Sequence, residues 1–173
     1  MKNKKTVVLG ASTKPDRYAY KAIEMLVDKG HSTLAIGQNA GEVAGIKIQT
    51  KAIPLKNIDT VTLYLNALRQ RDYYNYIIET KPKRVIFNPG TENPELYQLL
   101  KANGIGVEVA CTLVLLTTNQ YWFLGAYSRY SPLSLRYASR IPAAIGARAL
   151  VYKSEFRLRS RRFANQQQSQ ERN

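Results

Sequence analysis

Apolar and polar residues alternate along the first 121 positions in blocks that switch between two periods. Thr6-Val7-Val8-Leu9 is a short apolar run closed by Gly10, the pattern of a strand buried on both faces. Ala19, Ala22, Ile23, Leu26 and Val27 follow at helical spacing, and Gly30 ends that helix. Thr33 to Ile36, Val61 to Leu65, Arg84 to Phe87 and Val107 to Ala110 repeat the strand pattern. Between them, Tyr73, Tyr74, Ile77 and Ile78 mark one helix face, ending before Pro82. Leu96, Leu99 and Leu100 mark another, which Gly104 closes. Asn93-Pro94-Glu95 opens it, because Asn caps, Pro suits the first helical position and Glu favours the positive helix end. A short helix through Leu116 completes the series. Residues 38–59, broken by Gly41, Gly45 and Pro54, read as a loop with an extended piece at Ile46-Lys47-Ile48 and one helical turn near Leu55–Ile58.

Strands that alternate with helices need crossover connections, so they form a parallel sheet. The fold class expected is α/β: a Rossmann-like, doubly wound, five-stranded parallel sheet in the order 3-2-1-4-5, set by right-handed crossovers. Residues 1–121 complete that domain. Residues 122–173 show no sustained pattern and read as a poorly structured basic tail, disordered or non-native.

Charge divides the chain at the same place. Residues 1–121 carry 12 Lys and 4 Arg against 10 acids, whereas residues 122–173 carry 1 Lys and 9 Arg against 2 acids. The overall net charge of +14 is therefore mostly a property of the tail, where Arg interleaved with Tyr offers phosphate contacts and stacking for nucleic acid. No run of 18 apolar residues is present, which excludes a membrane-spanning helix, and the short apolar run after Lys5 is not a secretory leader. One cysteine, Cys111, forbids an internal disulfide and fits a cytoplasmic location.

In such a sheet the ligand sits beyond the carboxyl ends of the strands, where strand order reverses. Those ends carry Gly10, Ala11 and Ser12, then Gly37 and Gln38, then Asn66, then Asn88, Pro89 and Gly90, and finally Ala110 and Cys111. Glycine admits a phosphate close to the backbone, the amides of the following helix supply donors, and Ser12 adds a hydroxyl. Lys14, Arg17 and Lys21 bring cations to the first turn, and Tyr18 stands among them.

Two features of a dinucleotide site are missing. Gly10 is followed by Ser12 rather than by a second glycine, so G-x-G-x-x-G is not formed. The second strand ends Ile36-Gly37-Gln38-Asn39, without the acid that holds the ribose hydroxyls of NAD. Coenzyme A, with a pyrophosphate and a ribose 3′-phosphate, suits a cation-rich site lacking that acid. An NAD(P)-binding oxidoreductase or redox sensor is the rival reading, and nucleic-acid binding through the tail a second.

The run VVLGAS–KPDRYAYKAIEMLVDKGH, with AIG, GEVAG and the later FNPGTENPEL, resembles the small bacterial CoA-binding proteins, stand-alone relatives of the CoA-binding domain of the succinyl-CoA synthetase α-subunit. The resemblance spans about residues 5–121. It implies a Rossmann-like fold that binds coenzyme A or an acyl-CoA, with Gly10, Ser12, Arg17 and the Gly37 turn at the cofactor. It assigns no reaction, and the synthetase's phosphohistidine domain has no counterpart here.

No catalytic constellation is assembled. His31, the only histidine, falls on the amino-end side of the sheet. Glu92 reads as a helix-start carboxylate rather than a base, and Cys111 as a small buried hydrophobe. No His/Cys cluster has metal-ligand spacing. The expected partner is a small molecule, with a second copy of the chain as a further candidate.

Overall fold

The computed structural model describes residues 3–52 and 55–122. The tail assigned to residues 122–173 therefore lies, but for Trp122, outside the described residues. Seven strands form one sheet among the described residues. They are β1 (Thr6–Ala11), β2 (Thr33–Gly37), β3 (Gly41–Val43), β4 (Ile46–Gln49), β5 (Thr60–Leu63), β6 (Arg84–Phe87) and β7 (Gly106–Val109). Five α-helices accompany them among the described residues: α1 (Tyr18–Asp28), α2 (Ala67–Gln70), α3 (Tyr74–Thr80), α4 (Pro94–Ala102) and α5 (Thr112–Thr117), with one 3-10 turn at Arg71–Tyr73.

The order across the sheet is β3-β4-β2-β1-β5-β6-β7, parallel throughout except for the β3–β4 pair. This corrects the expectation of five strands. The run at Val61, read as the third strand, is β5 and pairs with β1 rather than with β2. The place beside β2 belongs to β4, where Ala35 faces Ile48 and Ile36 faces Gln49. Counted with β4 as the third strand, the order becomes 3-2-1-4-5-6, as right-handed crossovers require. The extended piece read at Ile46-Lys47-Ile48 is this strand, though two apolar positions alone do not place it in the sheet. It is held instead by an antiparallel hairpin to β3, turned through Ala44 and Gly45, both with positive φ as a two-residue hairpin demands. The helical turn expected near Leu55–Ile58 is not formed there, whereas α2 was not foreseen.

Alternate residues of the parallel strands feed two cores. Val7, Leu9, Ile36, Val61, Leu63, Val85 and Phe87 pack with Ile77 of α3 and with Leu96 and Leu100 of α4. Val8, Ala35, Ile48 and Ile86 pack with Ala19, Ile23 and Leu26 of α1 and with Leu115 and Leu116 of α5. Both faces are covered, which is why the strands read as continuous apolar runs.

A polar knot closes the amino edge of the α1/α5 face. The buried Arg84 donates to Glu108 Oε2 at 2.8 Å and to Thr60 Oγ1 at 2.9 Å, and also to the Tyr121 carbonyl oxygen. Tyr121 itself is buried, its hydroxyl 2.8 Å from Thr6 Oγ1. The His31 ring packs on both Tyr121 and Trp122, and its Nδ1 accepts from the Lys4 amide at 3.3 Å.

That setting favours the neutral imidazole. Burial first, then the charges of Lys4, Lys29 and Arg84, hold the His31 pKa below its ordinary value of 6.5, with Asp59 opposing. The unfolded chain thus takes the proton before the folded one does, so stability is lost as pH falls below about 6.5. Thermal midpoints measured from about pH 8 down to pH 5.5 should decline, and His31→Gln should flatten the decline over that window.

Candidate functional site

The carboxyl ends of β2, β1 and β5 converge where strand order reverses, since β1 is continued by β2 on one side and flanked by β5 on the other. Two glycines make this convergence possible. Gly10 has φ +93°, and a Cβ there would come within 2.9 Å of the Tyr64 carbonyl carbon. A bulge between Leu9 and Ala11 sets Ala11 opposite Gly37, where any side chain would overlap the Ala11 carbonyl oxygen. The result is a notch floored by backbone.

Residues 12–17 then form a loop before α1, so the helix does not follow the turn directly. Ser12 Oγ accepts from the Lys14 amide at 3.2 Å, and the Arg17 amide donates to the Lys14 carbonyl at 3.0 Å. Arg17 occupies the N-cap of α1 with an extended backbone and no capping side chain, and the first turn holds no acid. Among the described residues, the first amides of α1 have no side-chain acceptor. Lys14, Arg17, Tyr18 and Lys21 are all exposed around it. Arg17 pairs with Asp16 at 3.9 Å, a solvated contact of little strength, and Lys21 stands 5.8 Å above the Tyr18 ring.

On the other side of the notch, Asn66 caps α2 by accepting from the Arg69 amide at 3.0 Å. Arg69 reaches across to Gln38, donating from Nη1 to Oε1 at 3.3 Å. Sequence reasoning missed Arg69; the signal that could have found it is Asn66 three residues ahead, an N-cap pattern. Tyr18 and Leu68, 61% and 74% exposed, are the large apolar side chains left open to solvent among the described residues. Both sit on helices that leave this edge.

Asn88, Pro89 and Gly90 lie farther along the same edge, and they differ in what they can offer. Asn88 is buried and its amide is spent: Nδ2 donates to Thr62 Oγ1 at 2.7 Å and to the Leu63 carbonyl at 2.9 Å, while Oδ1 accepts from the Thr112 amide at 2.8 Å. It binds β5, β6 and α5 together. Gln70, unforeseen and fully buried, donates to the Leu65 and Thr91 carbonyls at 2.8 and 2.7 Å and accepts from Asn93 at 2.9 Å. Pro89 is half-buried and Gly90 exposed.

The thiol of Cys111 is half-buried at the start of α5, and burial pushes its pKa up against the weaker pull of the Val114 and Leu113 amides. The nearby Tyr64 hydroxyl is buried without a hydrogen-bond partner, and burial raises its pKa far above the usual phenol range. His31 lies at the opposite edge, in the Tyr121 cluster. Among the described residues no His, Cys, Asp and Glu gather as a metal-binding group, and no helix is long and apolar enough to cross a membrane. A cleft of about 610 Å³ at the amino edge is lined by Lys5, Lys56, Asp59, Glu79 and Lys83. Asp59 there is already paired with Lys4 and Lys83, at 3.1 and 3.4 Å, and the strands' amino ends are not where such sheets build their crevice.

Comparison with known proteins adds a family and a set of relatives. A family model described as a CoA binding domain matches residues 4–117. The chain is 26% identical over 107 residues to YneT of Bacillus subtilis (strain 168), an uncharacterized protein, covering 60% of this chain and 77% of that one. It is 48% identical to an uncharacterized protein of known crystal structure, with TM-score 0.67 over 69% of this chain and 99% of the other. A hypothetical protein from Pyrococcus horikoshii OT3 is 27% identical, with TM-score 0.59, covering 65% and 80%.

Asn88→Ala should strand the Thr112 amide and the Leu63 carbonyl in a buried setting. Each stranded group costs about 1–3 kcal/mol, so denaturant titration should show a stability loss at or above that range.

Proposed function

Because the chain belongs to the CoA-binding domain family, we propose that the β1–α1 turn holds coenzyme A or an acyl-CoA across the notch between β2, β1 and β5. The observation that carries this reading is the amino end of α1, uncapped by a side chain and with no acid in its first turn, beside exposed Lys14 and Arg17. A pyrophosphate there gains amide donors and two counter-charges. Gly10 and Gly37 bring the strand ends together beneath it, Ala11 between them adds little bulk, and Ser12 adds its hydroxyl. Tyr18 and Leu68 give apolar surface to the adenine or to the pantetheine arm. Gln38, at the end of β2, faces the ribose. Asn88 acts by fixing its turn, since both ends of its amide are occupied, Asn66 acts by capping α2 through Oδ1, and Pro89 and Gly90 wall the far side. No bond-breaking step is assigned to these residues, and the reading is of a binding module.

Calorimetric titration should give tighter binding of coenzyme A than of NAD, and the reverse order would overturn the reading in favour of a nicotinamide cofactor.

Replacing Arg17 by Ala should weaken coenzyme A about 10- to 100-fold, the worth of a charge-assisted hydrogen bond, with little change in thermal midpoint. Lys101→Ala, which removes an exposed cation from the far end of α4, should change neither. An unaltered affinity in the Arg17 variant would remove that residue from the site.

A further inference from the structure

Coenzyme A differs from its biosynthetically simpler dephosphorylated form only at the ribose, and the notch places one unusual side chain there. We propose that Arg69, steadied by Gln38, reads the ribose 3′-phosphate, making the site selective for coenzyme A over dephospho-coenzyme A; this rests on the reading of the preceding subsection.

In a Rossmann-type sheet the adenosine ribose lies over the carboxyl end of the second strand, where an acid serves a free hydroxyl and an arginine serves a phosphate. Here that end is Gly37-Gln38-Asn39-Ala40, and the next acid along the chain is Glu42. Nothing in the strand end itself supplies a cation. Arg69 does so from the other side of β1. Its backbone is pinned by the Asn66 cap at 3.0 Å, and its Nη1 spans the end of β1 to meet Gln38 Oε1 at 3.3 Å. A residue of α2, the helix that follows β5, thereby delivers a guanidinium to the end of β2.

Its charge is also uncommitted. Arg17, Arg71 and Arg84 each have a carboxylate within ion-pair distance, at 3.9, 3.1 and 2.8 Å. Arg69 has none among the described residues, and its one side-chain hydrogen bond goes to a neutral amide. The guanidinium is exposed, with a planar fork whose remaining N–H groups match two phosphate oxygens at once. The cations of the first turn, Lys14, Arg17 and Lys21, stand on the loop and helix that follow β1. The two phosphate groups of the ligand thus have separate sets of counter-charges.

Calorimetric titration of the full chain with coenzyme A and with dephospho-coenzyme A tests this. The wild-type protein should prefer coenzyme A by about tenfold or more, the scale of one charge-assisted contact. Arg69→Gln should lose about that factor for coenzyme A while leaving dephospho-coenzyme A unchanged, and Arg69→Lys should recover part of it. Because the side chain is exposed, the thermal midpoint should hold. Equal affinity of the wild-type protein for both compounds overturns the assignment of Arg69 but leaves coenzyme binding intact. So does an Arg69→Gln protein weakened equally toward both. Failure to bind either compound overturns the coenzyme reading, and the inference with it.

Discussion

The contact between the Ala11 carbonyl and the backbone of Gly37 sets the geometry of the whole carboxyl edge. The bulge after Leu9 turns β1 toward β2, and the positive φ of Gly10 leaves its Cα pressed against the backbone of Tyr64. Three strand ends meet with almost no side chain between them. The loops that follow them carry Ser12, Gln38 and Asn66. A Cβ at either glycine would push the strand ends apart.

The two edges of the sheet solve opposite problems. At the amino edge, Arg84, Glu108, Thr60, Thr6, His31 and Tyr121 engage one another in a buried knot. Charge is brought inside there, and its cost is offset by hydrogen bonds along Arg84. At the carboxyl edge, buried polar side chains serve only to fasten loops, as Asn88 and Gln70 do, while the cations and two large apolar side chains face water. The amino edge buries a charged cluster beside its open cleft, and the carboxyl edge leaves cations and two large apolar side chains on its surface.

The sequence pattern announced the elements that bury a continuous face. β1, β2, β5, β6 and β7, together with α1 and α4, follow the apolar runs at Val7, Leu34, Val61, Val85, Val107, Ala19 and Leu96. The α4 start at Asn93-Pro94 was legible from capping chemistry alone, and Asn93 indeed accepts from the Leu96 amide. β4 was legible as an extended piece at Ile46-Lys47-Ile48 but not as a member of the sheet, and β3 and α2 escaped because each is short and mostly exposed, so neighbours rather than propensity decide them. Within the site, the glycine and serine positions were readable because close approach demands particular residue types. Gln70 and Arg69 were not. Their roles depend on loops that meet only after the sheet is built.

The position of β1 at the middle of the sheet also fixes an order of events in time. Its partner β2 follows closely, but its other partner, β5, begins only at Thr60. A chain that emerges amino end first must hold one flank of its most apolar strand unpaired until about fifty further residues have been made. The β3–β4 hairpin, closed by two residues, can form in the interval, but it extends the sheet beyond β2. The open flank of β1 is thus the nascent protein's main exposure to wrong strand pairing, and arrival of β5 is the step that ends it.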